Sequence, residues 1–212
     1  MSKPKLIIFD CDGVLVDSET IAHQVLVDYI NEFGTNLSLE SALELFRGGA
    51  LADTIHYINT TYGVKLPEEF STSFRQRMKI AFEKDLKVVD GVTDLLDSVK
   101  QSVCIASNGP IEKMDTTLKV TGLKNYFGRN IFSAYQINKW KPEPDLFLYA
   151  AEKMGFAPQD TVVIEDSPRG AKAARLAGMQ VYGYDVYGKS DELASEGAVL
   201  FKKMSDLTKA FT

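Results

Sequence analysis

Leu6-Ile7-Ile8-Phe9-Asp10-Cys11-Asp12-Gly13-Val14-Leu15-Val16-Asp17-Ser18 is the stretch on which the reading of this chain turns. Four consecutive apolar residues suit a strand covered on both faces, as in a parallel sheet, better than a half-exposed strand with alternating polarity. If the backbone stays extended past Phe9, residues two apart point the same way. Asp10 and Asp12 would then both face the crevice beyond the strand's carboxyl end, where open α/β sheets bind ligands. Two carboxylates converging without a cation would repel each other, and one would take up a proton. Around a hard ion such as Mg²⁺, which takes one or two carboxylates and keeps several waters, the pair makes sense. Asp-Gly also favours tight turns, so the acids could be turn formers; three more strand ends that carry polar chemistry argue against that role alone.

Outward from this stretch, strand-like runs recur at 102–106, 131–134, 161–164 and 180–184, separated by amphipathic segments at 91–100, 111–121, 145–154 and 168–177. Strand and helix in alternation predict an open, Rossmann-like α/β sheet with right-handed crossovers. Between 17 and 85 no strand is evident, only helix-period segments at 19–33, 39–46, 50–62 and 67–84. We therefore expect a discontinuous catalytic core (1–16 and 89–212) interrupted by a helical insert (17–88), with connectors at 14–18 and 86–90.

Residues 102–106 run into Ser107-Asn108-Gly109, a hydroxyl and an amide beside a glycine that lets backbone N–H groups approach an anion. Lys139-Trp140-Lys141-Pro142-Glu143-Pro144 sets cations before a proline-marked helix start. Residues 161–164 end in Glu165-Asp166-Ser167, where the acids could instead begin a helix. Acids for a metal, with Ser and Lys for an anion, describe a phosphate site.

In these motifs the chain resembles the haloacid dehalogenase superfamily, specifically its phosphatase and phosphomutase branch with a small helical cap. The matching residues are the D-x-D-G of Asp10 to Gly13, Ser107-Asn108-Gly109, Lys141-Pro142-x-Pro144 and Glu165-Asp166-Ser167. The resemblance implies that Asp10 is the nucleophile, forming an aspartyl phosphate. Asp12 would protonate the leaving alkoxide and then deprotonate the attacking water. Ser107 would hold the transferring phosphoryl group and Lys141 would bridge it to the nucleophile. Mg²⁺ would be held by Asp10, the Asp12 carbonyl and Asp166, with Glu165 tuning its waters. The helical insert would be the cap, and Arg47-Gly48-Gly49 would meet the non-reacting part of the substrate, with Lys113 a further candidate for that mouth. Together with Asn108 and Gly109, these complete the expected substrate contacts.

The resemblance further implies a Mg²⁺-dependent phosphatase of small phosphorylated metabolites, sugar or sugar-acid phosphates such as 6-phosphogluconate. A β-phosphoglucomutase is the alternative, but those mutases carry a cap histidine where this chain has Ala22, with His23 one step away on another helix face. Dehalogenases lack the second aspartate of D-x-D.

Composition agrees with this class. The 212 residues carry Lys+Arg 24 against Asp+Glu 29, a formal charge of −5, with 45% hydrophobic residues. An acidic balance argues against a nucleic-acid binder, and no window approaches the roughly 18 apolar residues of a membrane span. Two cysteines, Cys11 and Cys104, supply no disulfide framework, so we expect a cytoplasmic protein with reduced thiols; separately, we expect a monomer. Cys11 lies between carboxylates, which raise a thiol's pKa, and reads as structural. Gly183-Tyr184-Asp185-Val186-Tyr187-Gly188-Lys189-Ser190 matches the P-loop pattern G-x-x-x-x-G-K-[ST]. Its bulky tyrosines and its aspartate would crowd and repel a phosphate, so we expect no nucleotide site there.

Overall fold

The computed structural model describes residues 3–46 and 51–211. It divides into two compact units, one formed by 1–16 with 87–212 and the other by 17–86.

The first unit is built on a six-stranded sheet: β1 (Leu6–Phe9), β2 (Ser102–Ser107), β3 (Ile131–Ser133), β4 (Thr161–Glu165), β5 (Gln180–Tyr184) and β6 (Val199–Phe201). All pairings are parallel, in the order β3-β2-β1-β4-β5-β6. The apolar run of β1 is central, and all four of its residues are fully buried. That order places the topological switch between β1 and β4, so the crevice at their carboxyl ends is where the fold leaves room for a ligand. The helices of this unit pack on the sheet through small residues as well as large ones. Ala150 and Ala151 join Ala171, Ala173 and Ala174 in a core with Leu6, Ile8, Cys104, Phe147 and Val163.

The expected strands and helices are all present, with ends shifted by up to three residues. Elements outside that expectation include β6, a short helix Ser190–Ser195 and a helix Met204–Phe211. A three-residue strand has no legible period, and β6 exists because β5 offers it an edge. The P-loop look-alike is no phosphate cradle. Its Ser190 Oγ donates to the Asp185 carboxylate at 2.5 Å, so the motif's hydroxyl is tied to an acid inside its own loop.

The second unit contains α1 (Glu19–Asn31), α2 (Leu39–Phe46), α3 (Leu51–Tyr62) and α4 (Phe70–Asp85). Tyr29 stacks on Phe70 at 4.6 Å between centroids, and the Arg77 guanidinium lies 3.8 Å over the Tyr29 ring. The turn after α1 is closed by Asn31, whose amide group donates to the Leu37 carbonyl while its oxygen accepts from the Leu37 N–H and the Thr35 hydroxyl. Gly34 (φ 85°) and Asn36 (φ 54°) supply the left-handed residues this turn requires.

Among the described residues, the buried hydroxyl of Thr117 is left unpaired. This residue, on the helix Ile111–Val120, is 1% exposed and its Oγ1 finds no partner. Valine has the same shape and a similar helix propensity, so Thr117→Val removes only the desolvation cost. We expect a gain of about 1 kcal/mol in urea unfolding, with a melting rise of roughly 2–4 °C for a chain of this size. A loss of stability would show that this hydroxyl has a partner.

Candidate active site

The first strand ends at Phe9, earlier than an extended run to Asp12 requires. Asp10 continues the ladder through one bond, its N–H donating to the Ile164 carbonyl at 2.9 Å. The chain then turns: Gly13 takes φ 80° and its N–H donates to the Val16 carbonyl. Asp10 and Asp12 lie close enough for the Asp12 charge to raise the cost of ionising Asp10, with a bend at Cys11 between them and Asp12 bridged to Val16 outside the sheet.

At the centre is a buried ammonium. Lys141, 3% exposed, donates from Nζ to Asp10 Oδ1 at 2.5 Å and to Glu165 Oε1 at 2.6 Å. Its backbone N–H donates to Asn108 Oδ1, its carbonyl accepts from Arg169, and its Nζ lies 4.7 Å over the Phe147 ring. Burial works against the ammonium charge, yet Asp10 and Glu165 together hold its pKa above the ordinary lysine value. The Asp10 carboxyl is pushed up to about 7, first by burial and then by the Glu165 and Asp12 charges, with Lys141 pulling the other way.

Glu165 is 1% exposed and both of its oxygens are engaged by protein donors. Oε1 takes Lys141; Oε2 takes the N–H groups of Asp166 and Ser167 and the Ser167 hydroxyl. The cap of the next helix, Pro168–Leu176, is Ser167, whose Oγ accepts from the Gly170 N–H at 3.1 Å, so the acid pair is not there to begin the helix. Gly170 belongs to none of the sequence motifs, and the structure gives it a purpose. A Cβ there would stand 1.8 Å from Glu165 Oε1 and 1.9 Å from its Cδ. Alanine is preferred over glycine in a helix interior by about 1 kcal/mol, so propensity alone would make Gly170→Ala stabilising. Because the Glu165 carboxylate is pinned on two amides and a lysine, we expect the opposite: a net loss of about 1–3 kcal/mol from overpacking. Lower activity measured in the same preparation should accompany it. A more stable, fully active variant would mean the carboxylate moves aside freely.

Ser107 is 2% exposed at the end of β2, and its Oγ accepts from the Gly109 N–H at 3.1 Å. The Gly109 carbonyl accepts from the Ser133 hydroxyl at 2.6 Å, so the loop after β2 is clamped by the end of β3. A Cβ built on Gly109 would meet Ser107 Oγ at 3.4 Å, Lys113 Cδ at 3.7 Å and Asp12 Oδ2 at 3.9 Å. Asp12 Oδ2 accepts from Lys113 Nζ at 2.7 Å. Thus Asp10, Asp12, Ser107, Asn108, Gly109, Lys141, Glu165 and Asp166 all stand at the carboxyl edge of one sheet. Arg47 and Gly48 lie outside the described residues. Cys11 is buried, and burial together with the Asp12 and Asp10 charges pushes its thiol well above the ordinary value, as expected of a structural cysteine.

A divalent metal fits this donor set. Three carboxylates, Asp10, Asp12 and Glu165, pair with two ammonium groups, Lys141 and Lys113, and burial still pushes the Asp10 carboxyl up. Gly13 leaves room for the Asp166 carboxylate, whose Oδ2 would be 2.3 Å from a Cβ there. Among the described residues no three His, Cys, Asp or Glu side chains form a metal cluster. Hard oxygen donors of this kind suit an ion such as Mg²⁺, which takes one or two carboxylates and keeps several waters.

With this geometry established, comparison with known proteins places the chain. Residues 7–184 match the model for haloacid dehalogenase-like hydrolases. The chain is 31% identical over 208 residues to 6-phosphogluconate phosphatase of Escherichia coli, covering 98% of this chain and 94% of that protein. A conserved haloacid dehalogenase-like protein from Agrobacterium tumefaciens superposes with a TM-score of 0.87 at 36% identity, over 97% of this chain and 96% of its own. A family hydrolase from Deinococcus radiodurans, solved with bound phosphate and sodium, gives 0.85 at 28% identity over 99% and 96%. This chain, with its parallel sheet and its buried lysine between two acids, belongs to the haloacid dehalogenase-like hydrolase family, among relatives named as phosphatases.

Proposed function

We propose that this protein is a Mg²⁺-dependent phosphomonoesterase of small phosphorylated sugars or sugar acids, acting through an aspartyl phosphate on Asp10. The observation that carries the reading is the buried Lys141 ammonium shared by Asp10 and Glu165, at the switch point of the sheet and on the same edge as the Ser107 hydroxyl. A carboxylate that must attack an anion needs adjacent positive charge, and phosphoryl transfer asks a protein for positioning and charge neutralisation above all. Asp10 is the attacking group. Lys141 holds Asp10 in place and offsets the charge of the incoming phosphate, and Glu165 in turn holds Lys141. Ser107 and the N–H groups of the loop after β2 receive the phosphoryl oxygens. Asp12, one turn further along, gives a proton to the leaving oxygen and takes one from the water that releases the phosphate. Mg²⁺, held by Asp10, Asp166 and the Asp12 carbonyl, would supply Lewis-acid stabilisation of the phosphoryl oxygens.

We assign the helical unit the role of cap, selecting the non-reacting part of the substrate. Sugar-acid phosphates are favoured as substrates by the similarity, across nearly its whole length, to a 6-phosphogluconate phosphatase. Hydrolysis is favoured over mutase chemistry by Ala22 and by His23, which is buried and donates from Nδ1 to the Glu19 carbonyl at 2.7 Å within its own helix. The test is phosphate release from a panel of sugar and sugar-acid phosphates, each with Mg²⁺ and with excess chelator. We expect turnover of several members, lost in chelator and restored by added Mg²⁺. Full activity in chelator would remove the metal from the reading, and activity confined to bisphosphate-primed isomerisation would replace the hydrolase by a mutase.

A further inference from the structure

We propose that Lys113 is a positioning residue for Asp12, holding one carboxylate oxygen so that the other is presented to the leaving group. Lys113 and Asp12 are separated by 101 residues in the chain, yet the ammonium donates to Oδ2 at 2.7 Å, with the two side chains 28% and 21% exposed. The lysine stem passes Gly109, where Asp12 Oδ2 and Ser107 Oγ also converge. A glycine at that point keeps all three groups together, since a side chain longer than alanine's would stand among them.

The placement of Lys113 is unfavourable on local grounds. It is the third residue of a helix that begins at Ile111, and a cation in the first turn opposes the helix dipole at a cost of about 0.3–1 kcal/mol. The fold accepts that cost at the position from which Nζ reaches Asp12. Asp12 stands just before the left-handed Gly13 and is bridged to Val16 within its own loop, outside the sheet, whereas the Asp10 N–H bonds to the Ile164 carbonyl of β4. The ion pair from the helix that follows β2 adds a constraint on the Asp12 side chain itself.

The inference rests on the reading of Asp12 as the acid–base group, and it predicts a dependence on leaving group. A sugar phosphate leaves as a strongly basic alkoxide and needs a well-placed proton. p-Nitrophenyl phosphate does not. The experiment compares kcat/KM for 6-phosphogluconate and p-nitrophenyl phosphate in the wild type, Lys113→Met, Lys113→Arg, Asp12→Asn and the Asp12→Asn/Lys113→Met double variant, with melting curves for each. General acid–base catalysis is worth about 10²–10⁴-fold, so losing its alignment through Lys113→Met should cost the alkyl ester at least about 10-fold. The aryl ester should lose far less, Lys113→Arg should recover most of the deficit, and Lys113→Met should add nothing in the Asp12→Asn background. Equal losses on both esters would make Lys113 a phosphate-binding cation and overturn the proposal, as would a loss that persists without Asp12. If Asp12→Asn itself shows no preference for sparing the aryl ester, the acid–base reading of Asp12 fails, and the proposal with it.

Discussion

Asp10→Asn is expected to abolish phosphate release, by at least about 10⁴-fold in kcat, because the amide cannot form the acyl phosphate on which both half-reactions depend. The same variant should change stability in a direction set by pH. In chelator the folded Asp10 carboxyl has been pushed from 3.8 up to about 7, chiefly by burial. Between those values the unfolded chain has already released this proton while the folded chain keeps it. The unfolded state then binds fewer protons, and wild-type stability falls as pH rises from about 4 to about 7. Asparagine carries no such titration. The variant should therefore gain on the wild type steadily across that window, and the gap should level off above it. Added Mg²⁺ should reverse the ranking, because a ligand that binds only the folded state stabilises in proportion to its affinity, and the variant has lost one carboxylate ligand. Denaturant curves at a series of pH values, with chelator and with Mg²⁺, read both effects. Retained turnover would reject the nucleophile, and a pH-independent difference would show that burial does not govern the Asp10 carboxyl.

Removing the central cation should be the most damaging single change to the folded protein. In Lys141→Met the Asp10 and Glu165 oxygens that had faced Nζ at 2.5 and 2.6 Å are left buried together without it. Breaking a buried ion pair by deleting one partner costs about 3–5 kcal/mol, most of it the penalty on the charge left behind. Methionine fills much of the lysine stem's volume, which isolates the electrostatic loss from a cavity. We expect a melting drop on the order of 10 °C at neutral pH, with turnover too low to measure. The deficit should shrink as pH falls, since protonating either acid removes the repulsion. Glu165→Gln placed on top should return part of the lost stability and none of the activity. If Lys141→Met melts with the wild type, the ammonium is not the group that makes this cluster of acids tolerable.

These two variants also divide what can be read in the residues from what cannot. Asp10, Ser107 and the acids at 165 and 166 are legible because each ends an apolar run, and a parallel sheet must collect such ends on one edge. Lys141 is legible as a residue type before a proline-marked helix. Its direction is not: the ammonium reaches Asp10 and Glu165 across 131 and 24 residues, and no local period encodes that. Lys113 reads from the sequence as a lysine at the substrate mouth, and its bond to Asp12 is hidden for the same reason.

The sequence alone determined the order of the polar strand ends along the chain and the alternation of strand and helix, because burial of apolar runs and helix periodicity are local properties. Only the tertiary structure decided which charges compensate one another, why a Cβ at position 170 would meet Glu165, and that Asp12 is tied to Lys113. Those outcomes depend on packing and electrostatics between segments far apart in the chain, and these act only once the sheet has brought its strand ends together.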